Sequence, residues 1–279
     1  PNNLEGKSME KKRESNFELM RIVMMLLIIA HHYVVNSGIM ESYDFQNITG
    51  NMIFLQCFGF AGKIMINCFI LITGYFMVKK SFSFTKVIKL YLEIKFYCII
   101  IYILFIVFGI NTFSVKELIK TVFNIIYNVN IGFTGTFLFL YILIPFINKL
   151  INNLNKKQYT VLLCILLFYF TIISTFSFAN DTFNEITWYI VVYMIGGYIK
   201  LYPNKYDNNK KFWLTSTLIC IICIVLSIIG IDLINNKFNT SYDPYYFVIN
   251  AHKLLAVLSS VSFFMLFKNI NIKFNKTIN

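Results

Sequence analysis

Four ionisable side chains lie within one apolar stretch near the start of the chain, at Glu18, Arg21, His31 and His32. In an α-helix, eleven steps of about 100° bring Arg21 and His32 to within about 20° of one face, about 16 Å apart, whereas His31 lies about 80° from Arg21. Glu18 precedes Arg21 by three residues, a spacing that favours a carboxylate–guanidinium pair. This pattern suits a cleft in which Arg21 holds an anion and His32 accepts and returns a proton.

Other polar side chains also fall inside apolar stretches, where a buried charge is costly and is therefore a candidate for a functional site. Lys63 and Asn67 lie one helical turn apart, and His252 enters the last apolar stretch together with Lys253. Our candidates for substrate binding are His31, Lys63, Asn67 and His252. The alternative for each of them is structural, because such side chains also pack between helices or extend to the lipid–water interface.

Three lysines cluster near the start of the third apolar stretch, at Lys86, Lys89 and Lys95. Ammonium groups in such a position suit a ligand that carries phosphates. They also fit a role in setting membrane topology, and Arg21 has a similar alternative, since it can extend to lipid phosphates.

The composition indicates that these residues lie in a membrane protein. Of 279 residues, 57% are hydrophobic and 14% are charged, whereas soluble domains have about 25% charged residues. A disordered chain, a coiled coil and an ordinary cytosolic enzyme are therefore poor fits. No nucleotide-binding or zinc-protease motif occurs, and Cys220 and Cys223 form a single C-x-x-C inside an apolar helix, so we expect no bound metal.

Eight apolar runs are candidates for membrane-spanning helices, since a span needs about 20 apolar residues. The runs are continuously apolar, which favours helices over the alternating pattern of a β-barrel. The sequence therefore predicts an all-α, polytopic transmembrane helix bundle. The eight predicted spans cover roughly residues 17–37, 53–78, 93–110, 131–147, 159–178, 186–201, 212–231 and 246–267.

Basic residues alternate between successive loops, which predicts the orientation. One set of loops is rich in lysine, whereas the other set has only Lys116, Lys120 and Lys237. The positive-inside rule then places both ends of the chain in the cytoplasm. We expect a cytoplasmic segment at 1–16, a transmembrane domain at 17–267 and a cytoplasmic end at 268–279. The net charge of +12 is spread over these loops, so we expect no nucleic-acid partner. The basic set comprises Lys7, Lys11, Lys12, Arg13, Lys79, Lys80, Lys86, Lys89, Lys149, Lys156, Lys157, Lys200, Lys205, Lys210, Lys211, Lys268, Lys273 and Lys276.

Two segments resemble the acyltransferase 3 family of integral membrane acyltransferases. The run NFELMRIVMMLLIIAHHY at 16–33 is similar to the family's first helix, in which a basic residue precedes a histidine by eleven positions, as Arg21 precedes His32. The run INCFILITGYF at 66–76 is similar to its second helix, with Thr73 and Gly74 matching. The family's Arg-x-x-Arg near the third helix has its nearest match in the lysines at 86 and 89. Family members commonly have more spans, so a C-terminally truncated member is also consistent with this chain.

The resemblance implies transfer of an acyl group, usually acetyl, from cytoplasmic acyl-CoA to a hydroxyl of a cell-surface or lipid-linked glycan at the plasma membrane. His32, Arg21 and Glu18 would be the catalytic residues, and Lys86, Lys89 and Lys95 would hold CoA. Acyl-CoA would be a co-substrate, with no permanently bound cofactor, and membrane lipids would surround the protein. Two alternatives stay open: a transporter or flippase for a lipid-linked saccharide, and an inactive truncated family member.

Overall fold

The computed structural model describes residues 14–127, 132–176 and 184–272, and the regular structure within these ranges is helical. The predicted all-helical class is thus confirmed, and the protein has the apolar helices of a membrane protein. The basic residues predicted at 7, 11, 12, 13, 273 and 276, and most of both predicted terminal segments, lie outside the described residues. The helices are α1 (Ser15–Asn36), α2 (Gly50–Gly59), α3 (Gly62–Met77), α4 (Phe84–Val107), α5 (Val115–Tyr127), α6 (Phe133–Asn152), α7 (Lys156–Leu167), α8 (Ser174–Phe176), α9 (Glu185–Leu201), α10 (Lys210–Phe238) and α11 (Leu254–Lys268).

Two of the predicted spans correspond to helices that are short for a membrane crossing. In the described part of the chain, six helical segments are long and apolar enough to cross a membrane. Each of the eight predicted spans contains a helix, but α9 has 17 residues and α11 has 15. At 1.5 Å per residue α11 is about 22 Å long, against a hydrocarbon core of about 30 Å. The count of eight spans is therefore not confirmed. The six segments are Ser15–Asn36, Gly50–Met77, Phe84–Val107, Phe133–Asn152, Lys156–Phe176 and Lys210–Phe238.

The last predicted span begins too early, because a contact from another helix sets the start of α11. Backbone at Lys253 is extended, and the Leu254 N–H donates to the Thr175 hydroxyl at 3.0 Å. A side chain from α8 thus satisfies a helix N-terminus that would otherwise leave its donors unpaired. The segment before it, which the sequence assigns to the span, forms turns.

At the centre of the bundle, α3 packs against α1, α9 and α11. Glycines permit the closest approach, because Gly74 lies against the Tyr193 backbone carbonyl and Gly196 lies against the Leu71 carbonyl. Small residues at such crossings let the helix backbones come into van der Waals contact. The crossing of α3 and α9 fixes the positions of Lys63 and Asn67, which lie on α3.

The sequence did not predict the helix α5 or its packing against α4. The helix α5 is amphipathic and lies in a segment that the sequence assigns to a polar loop. It packs against α4, where the Tyr91 hydroxyl donates to the Val122 carbonyl at 3.2 Å and the Tyr102 hydroxyl donates to the Ser114 carbonyl at 3.0 Å. Most of α4 is otherwise exposed, as expected for a helix that faces lipid.

Candidate active site

A cavity of about 370 Å³ opens at the end of the bundle where α1 begins and α3 ends. This end carries many of the described basic loop residues, and we call it the basic end. Two cationic and two anionic side chains face a largely apolar wall there. The cavity is therefore suited to a ligand with both a charged and an apolar part. Its lining consists of Glu14, Phe17, Glu18, Arg21, Ile72, Thr73, Phe76, Met77, Lys80, Phe137 and Tyr141.

Arg21 and Glu18 form the predicted ion pair, with Nη1 and Oε1 at 2.5 Å. The Arg21 side chain is 39% exposed and that of Glu18 is 19% exposed. Glu18 thus orients the guanidinium at the cavity wall while leaving part of it accessible. A guanidinium held in this way presents planar donors to a phosphate or carboxylate.

The two histidines lie in different environments. The ring of His31 packs against Gly62, and its Nδ1–H donates to the Gly59 carbonyl oxygen at 2.5 Å. Because a carbonyl can only accept, Nδ1 carries the proton and Nε2 of the neutral ring is a proton acceptor. His32 is exposed, and its Nδ1 lies 3.0 Å from Nδ2 of Asn36.

His32 shares the exposed face of α1 with large apolar side chains, among them Leu26 and Ile29. The buried face of α1 instead carries Phe17 and Met20, both at the core. The two histidine rings lie 5.6 Å apart between centroids. The structure thus brings the pair together, with His31 directed into the bundle and His32 at its surface.

Lys63, a predicted substrate-binding residue on α3, belongs to a second polar group next to His31. Lys63 Nζ lies 4.0 Å from Glu185 Oε1, and Glu185 also accepts a hydrogen bond from Thr136 at 3.5 Å. Lys63 follows Gly62 directly, so this ion pair adjoins the packed ring of His31. Glu185 was not recognised from the sequence, because its partner Lys63 lies far away in the chain and no local pattern links the two.

Asn67 and His252 meet through Trp188. Asn67 accepts from the Trp188 indole N–H at 3.0 Å and donates to the Ala251 carbonyl at 2.7 Å. The Trp188 and His252 rings lie 6.1 Å apart between centroids, and His252 Nε2 lies 2.5 Å from the Ser174 hydroxyl. These buried polar groups join α3, α8, α9 and the segment before α11.

The three predicted CoA-binding lysines are not brought together. Lys86 and Lys89 are exposed on the first turns of α4, and Lys89 lies 3.9 Å from Glu93. Lys95 is buried, and its Nζ donates to the Thr121 carbonyl at 2.6 Å. Lys80, which the sequence shows only as a loop lysine, lines the cavity instead. Its place depends on the contact between α1 and α3, which no local pattern shows.

A second cavity, of about 240 Å³, lies at the opposite end of the bundle between the end of α1 and the start of α2. Most of its lining side chains carry hydroxyl, amide or carboxylate groups. Burial raises the pKa of Tyr43, so the phenol stays neutral near pH 7. The lining consists of Ser42, Tyr43, Asp44, Asn47, Thr49, Asn51, Met52 and Leu55.

Comparison with models of protein families identifies a match to this chain. A family model described as an acyltransferase domain matches residues 14–279, which is nearly the whole chain. No curated protein and no solved structure matches. The matched range contains both cavities and every candidate site residue.

Proposed function

This chain belongs to the acyltransferase domain family. On that premise we propose that it moves an acyl group, with acetyl as the first candidate, from cytoplasmic acyl-CoA to a hydroxyl of a cell-surface or lipid-linked glycan. In this proposal the protein lies in the plasma membrane with the basic end in the cytoplasm, as the positive-inside rule predicts. Acyl-CoA and the glycan are the two partners.

The cavity at the basic end is the observation that carries the proposal. Arg21 and Lys80 line it together with Thr73 and Tyr141, so cationic groups meet an apolar wall where an acyl-CoA would arrive. Lys86 and Lys89 are exposed on α4 and available to CoA phosphates. Lys95 contributes less in this arrangement, because its ammonium group is hydrogen-bonded to Thr121.

The chemistry needs one proton acceptor near the thioester. A histidine takes the proton of the acceptor hydroxyl, and the oxygen attacks the thioester carbonyl. The C–S bond then breaks, and the departing CoA thiolate takes the proton from the histidine, which regenerates the base. His32 is the first candidate, because it matches the family pattern with Arg21. His31 is the second, because its hydrogen bond to Gly59 leaves Nε2 able to accept a proton.

Arg21 has a different role in this scheme. It lies about 16 Å along α1 from His32, which is too far for both side chains to contact one carbonyl. We assign Arg21 to the anionic part of the donor, with Glu18 as its orienting partner. The cavity at the opposite end supports an acceptor with several hydroxyls, because side-chain amides such as those of Asn47 and Asn51 suit hydrogen bonding to sugars.

The test compares His32→Ala, His31→Ala and the double variant in vesicles that contain the purified protein, labelled acetyl-CoA and a glycan acceptor. We expect the variant that removes the base to lose about 10²–10⁴-fold in transfer rate, with acetyl-CoA binding unchanged. Ile22→Ala, on the exposed face of α1, is the matched control. Transfer by the double variant at the parental rate would refute the assignment of a histidine base.

A further inference from the structure

A carboxyl group lies fully buried at the far end of α10. Asp232 is 0% exposed, and its Oδ1 accepts from Nε2 of Gln56 on α2 at 3.2 Å. Within the ranges that the structure describes, no ion pair includes Asp232. A buried carboxylate without a cation is strongly disfavoured, because burial removes its hydration and the single hydrogen bond from Gln56 does not replace it.

Two buried atoms of this pair have no hydrogen-bond partner among the described residues: Asp232 Oδ2 and Gln56 Oε1. Both are acceptors when the acid is ionised, so neither can satisfy the other. A proton on Oδ2 changes this, because the acid can then donate to Gln56 Oε1 while Oδ1 still accepts from Nε2. A carboxylic acid and an amide joined in this way leave no buried group unsatisfied.

We infer that Asp232 is held as a neutral carboxylic acid paired with Gln56, and that it is a positioning residue for the acyl transfer. This inference rests on the proposed function for its effect on activity, whereas the protonation itself does not depend on it. The neutral pair ties α10 to α2, and ionisation would break one hydrogen bond and place a negative charge beside an amide oxygen.

The pair connects to the histidines through one turn of α2. The Gln56 carbonyl accepts from the Tyr245 hydroxyl at 3.0 Å, and the Gly59 carbonyl accepts from His31. Gly59 also lies against the side chain of Val34 and the Tyr245 hydroxyl, so a side chain there would separate α2 from α1. A displacement of α2 therefore changes the orientation of the His31 ring.

The other titratable groups around Asp232 do not explain a change in activity in the pH range where Asp232 ionises. Tyr43 and Tyr245 approach it from the loops at this end, and burial raises the pKa of both hydroxyls, so they stay neutral. Cys57 of α2 and Asp243, which lies close to Tyr245, are the remaining neighbours. The Asp243 carboxylate is engaged separately, because it accepts from the Tyr245 backbone N–H at 2.7 Å.

The experiment replaces Asp232 in two ways. Asp232→Asn reproduces the neutral acid, because its Oδ1 accepts from Gln56 and its Nδ2 donates to Gln56 Oε1. Asp232→Leu removes both contacts. We expect Asp232→Asn to unfold at the parental temperature and Asp232→Leu at a lower one. The infrared band of a protonated carboxyl should be present in the parent at neutral pH and absent in Asp232→Asn, whereas the exposed-loop control Asp44→Asn keeps it.

The pH profile tests the positioning role. In the parent, transfer should fall as pH rises through the ionisation of Asp232, whereas in Asp232→Asn this fall is absent. A parent without the infrared band, or an Asp232→Asn variant as unstable as Asp232→Leu, would overturn the neutral acid and indicate a charged site. Identical pH profiles would overturn the positioning role. The infrared and unfolding measurements do not depend on activity, so they test whether Asp232 is protonated even when no acyl transfer is found.

Discussion

At the scale of single residues, adjacent positions on α1 have different surroundings although their chemistry is the same. His31 and His32 differ by about 100° around the helix, and this separates a ring packed against Gly62 from one that is exposed. The helical spacing correctly relates Arg21 to His32, but it does not say which face of α1 packs against α3. That choice depends on the buried side chains of Met20 and Met24.

Gly62 is the residue that makes room for the inward histidine. A Cβ at this position would meet the imidazole of His31 directly, so Gly62→Ala must displace the ring. We expect the variant to slow acyl transfer by about 10–100-fold, because small errors in placing a catalytic group are costly. Gly50→Ala is the matched control, since no atom lies within 4 Å of the added carbon. Equal transfer rates for the two variants would show that the His31 orientation does not matter.

At the scale of helices, the crossing of α3 and α9 positions the polar contacts of Lys63 and Asn67. Gly74 and Gly196 allow these helices to touch, and α3 then carries Lys63 toward Glu185 and Asn67 toward Trp188. Both polar contacts join α3 to α9, so they depend on the same interhelical distance. Close packing at the two glycines thus positions one ion pair and one buried hydrogen bond.

Enlarging one glycine of this crossing should destabilise the fold. Gly196→Leu places a side chain against the Leu71 carbonyl and next to Gly74. We expect the unfolding free energy in detergent to fall by about 1–3 kcal/mol or more, the usual cost of overpacking. Gly230→Ala in α10 adds a carbon in open space and should leave stability unchanged or raise it slightly. A Gly196→Leu protein as stable as the parent would contradict the close crossing.

The sequence predicts the elements better than it predicts their contacts. Continuous apolar runs show where helices lie, and the pair of Glu18 and Arg21 follows from local spacing. The start of α11 depends on Thr175 of α8, and the cavity lining depends on Lys80 meeting α1. Such contacts join residues far apart in the chain, so no local pattern could predict them. The helix α5 was missed because its polar face resembles a solvated loop.

At the scale of the whole molecule, the two ends of the bundle differ in charge and in the character of their cavities. The cavity at the basic end is lined by two cationic and two anionic side chains, whereas the opposite cavity has Asp44 and uncharged polar groups. In the proposed function, acyl-CoA would meet the first of these surfaces and the glycan acceptor the second. The orientation of the bundle decides which of them arrives from the cytoplasm.

Labelling with a membrane-impermeant maleimide tests this orientation in intact cells. We expect Asn47→Cys to react from outside and Lys86→Cys to react only after the membrane is opened, because the positive-inside rule places Lys86 in the cytoplasm. The parent, with six cysteines, gives the background signal. The reverse pattern would invert the proposed arrangement of donor and acceptor.

The short helices α9 and α11 lie at the centre of the bundle, among longer ones such as α10 with 29 residues. In the proposed membrane orientation, α11 would cover about 22 Å of a hydrocarbon core of about 30 Å, so the insulating layer at the centre of the protein would be thinner than the surrounding lipid. A thioester on a flexible tether and an alcohol arriving from the other compartment would have only this reduced barrier between them. The protein would thus shorten the path of the acyl group before any bond is broken.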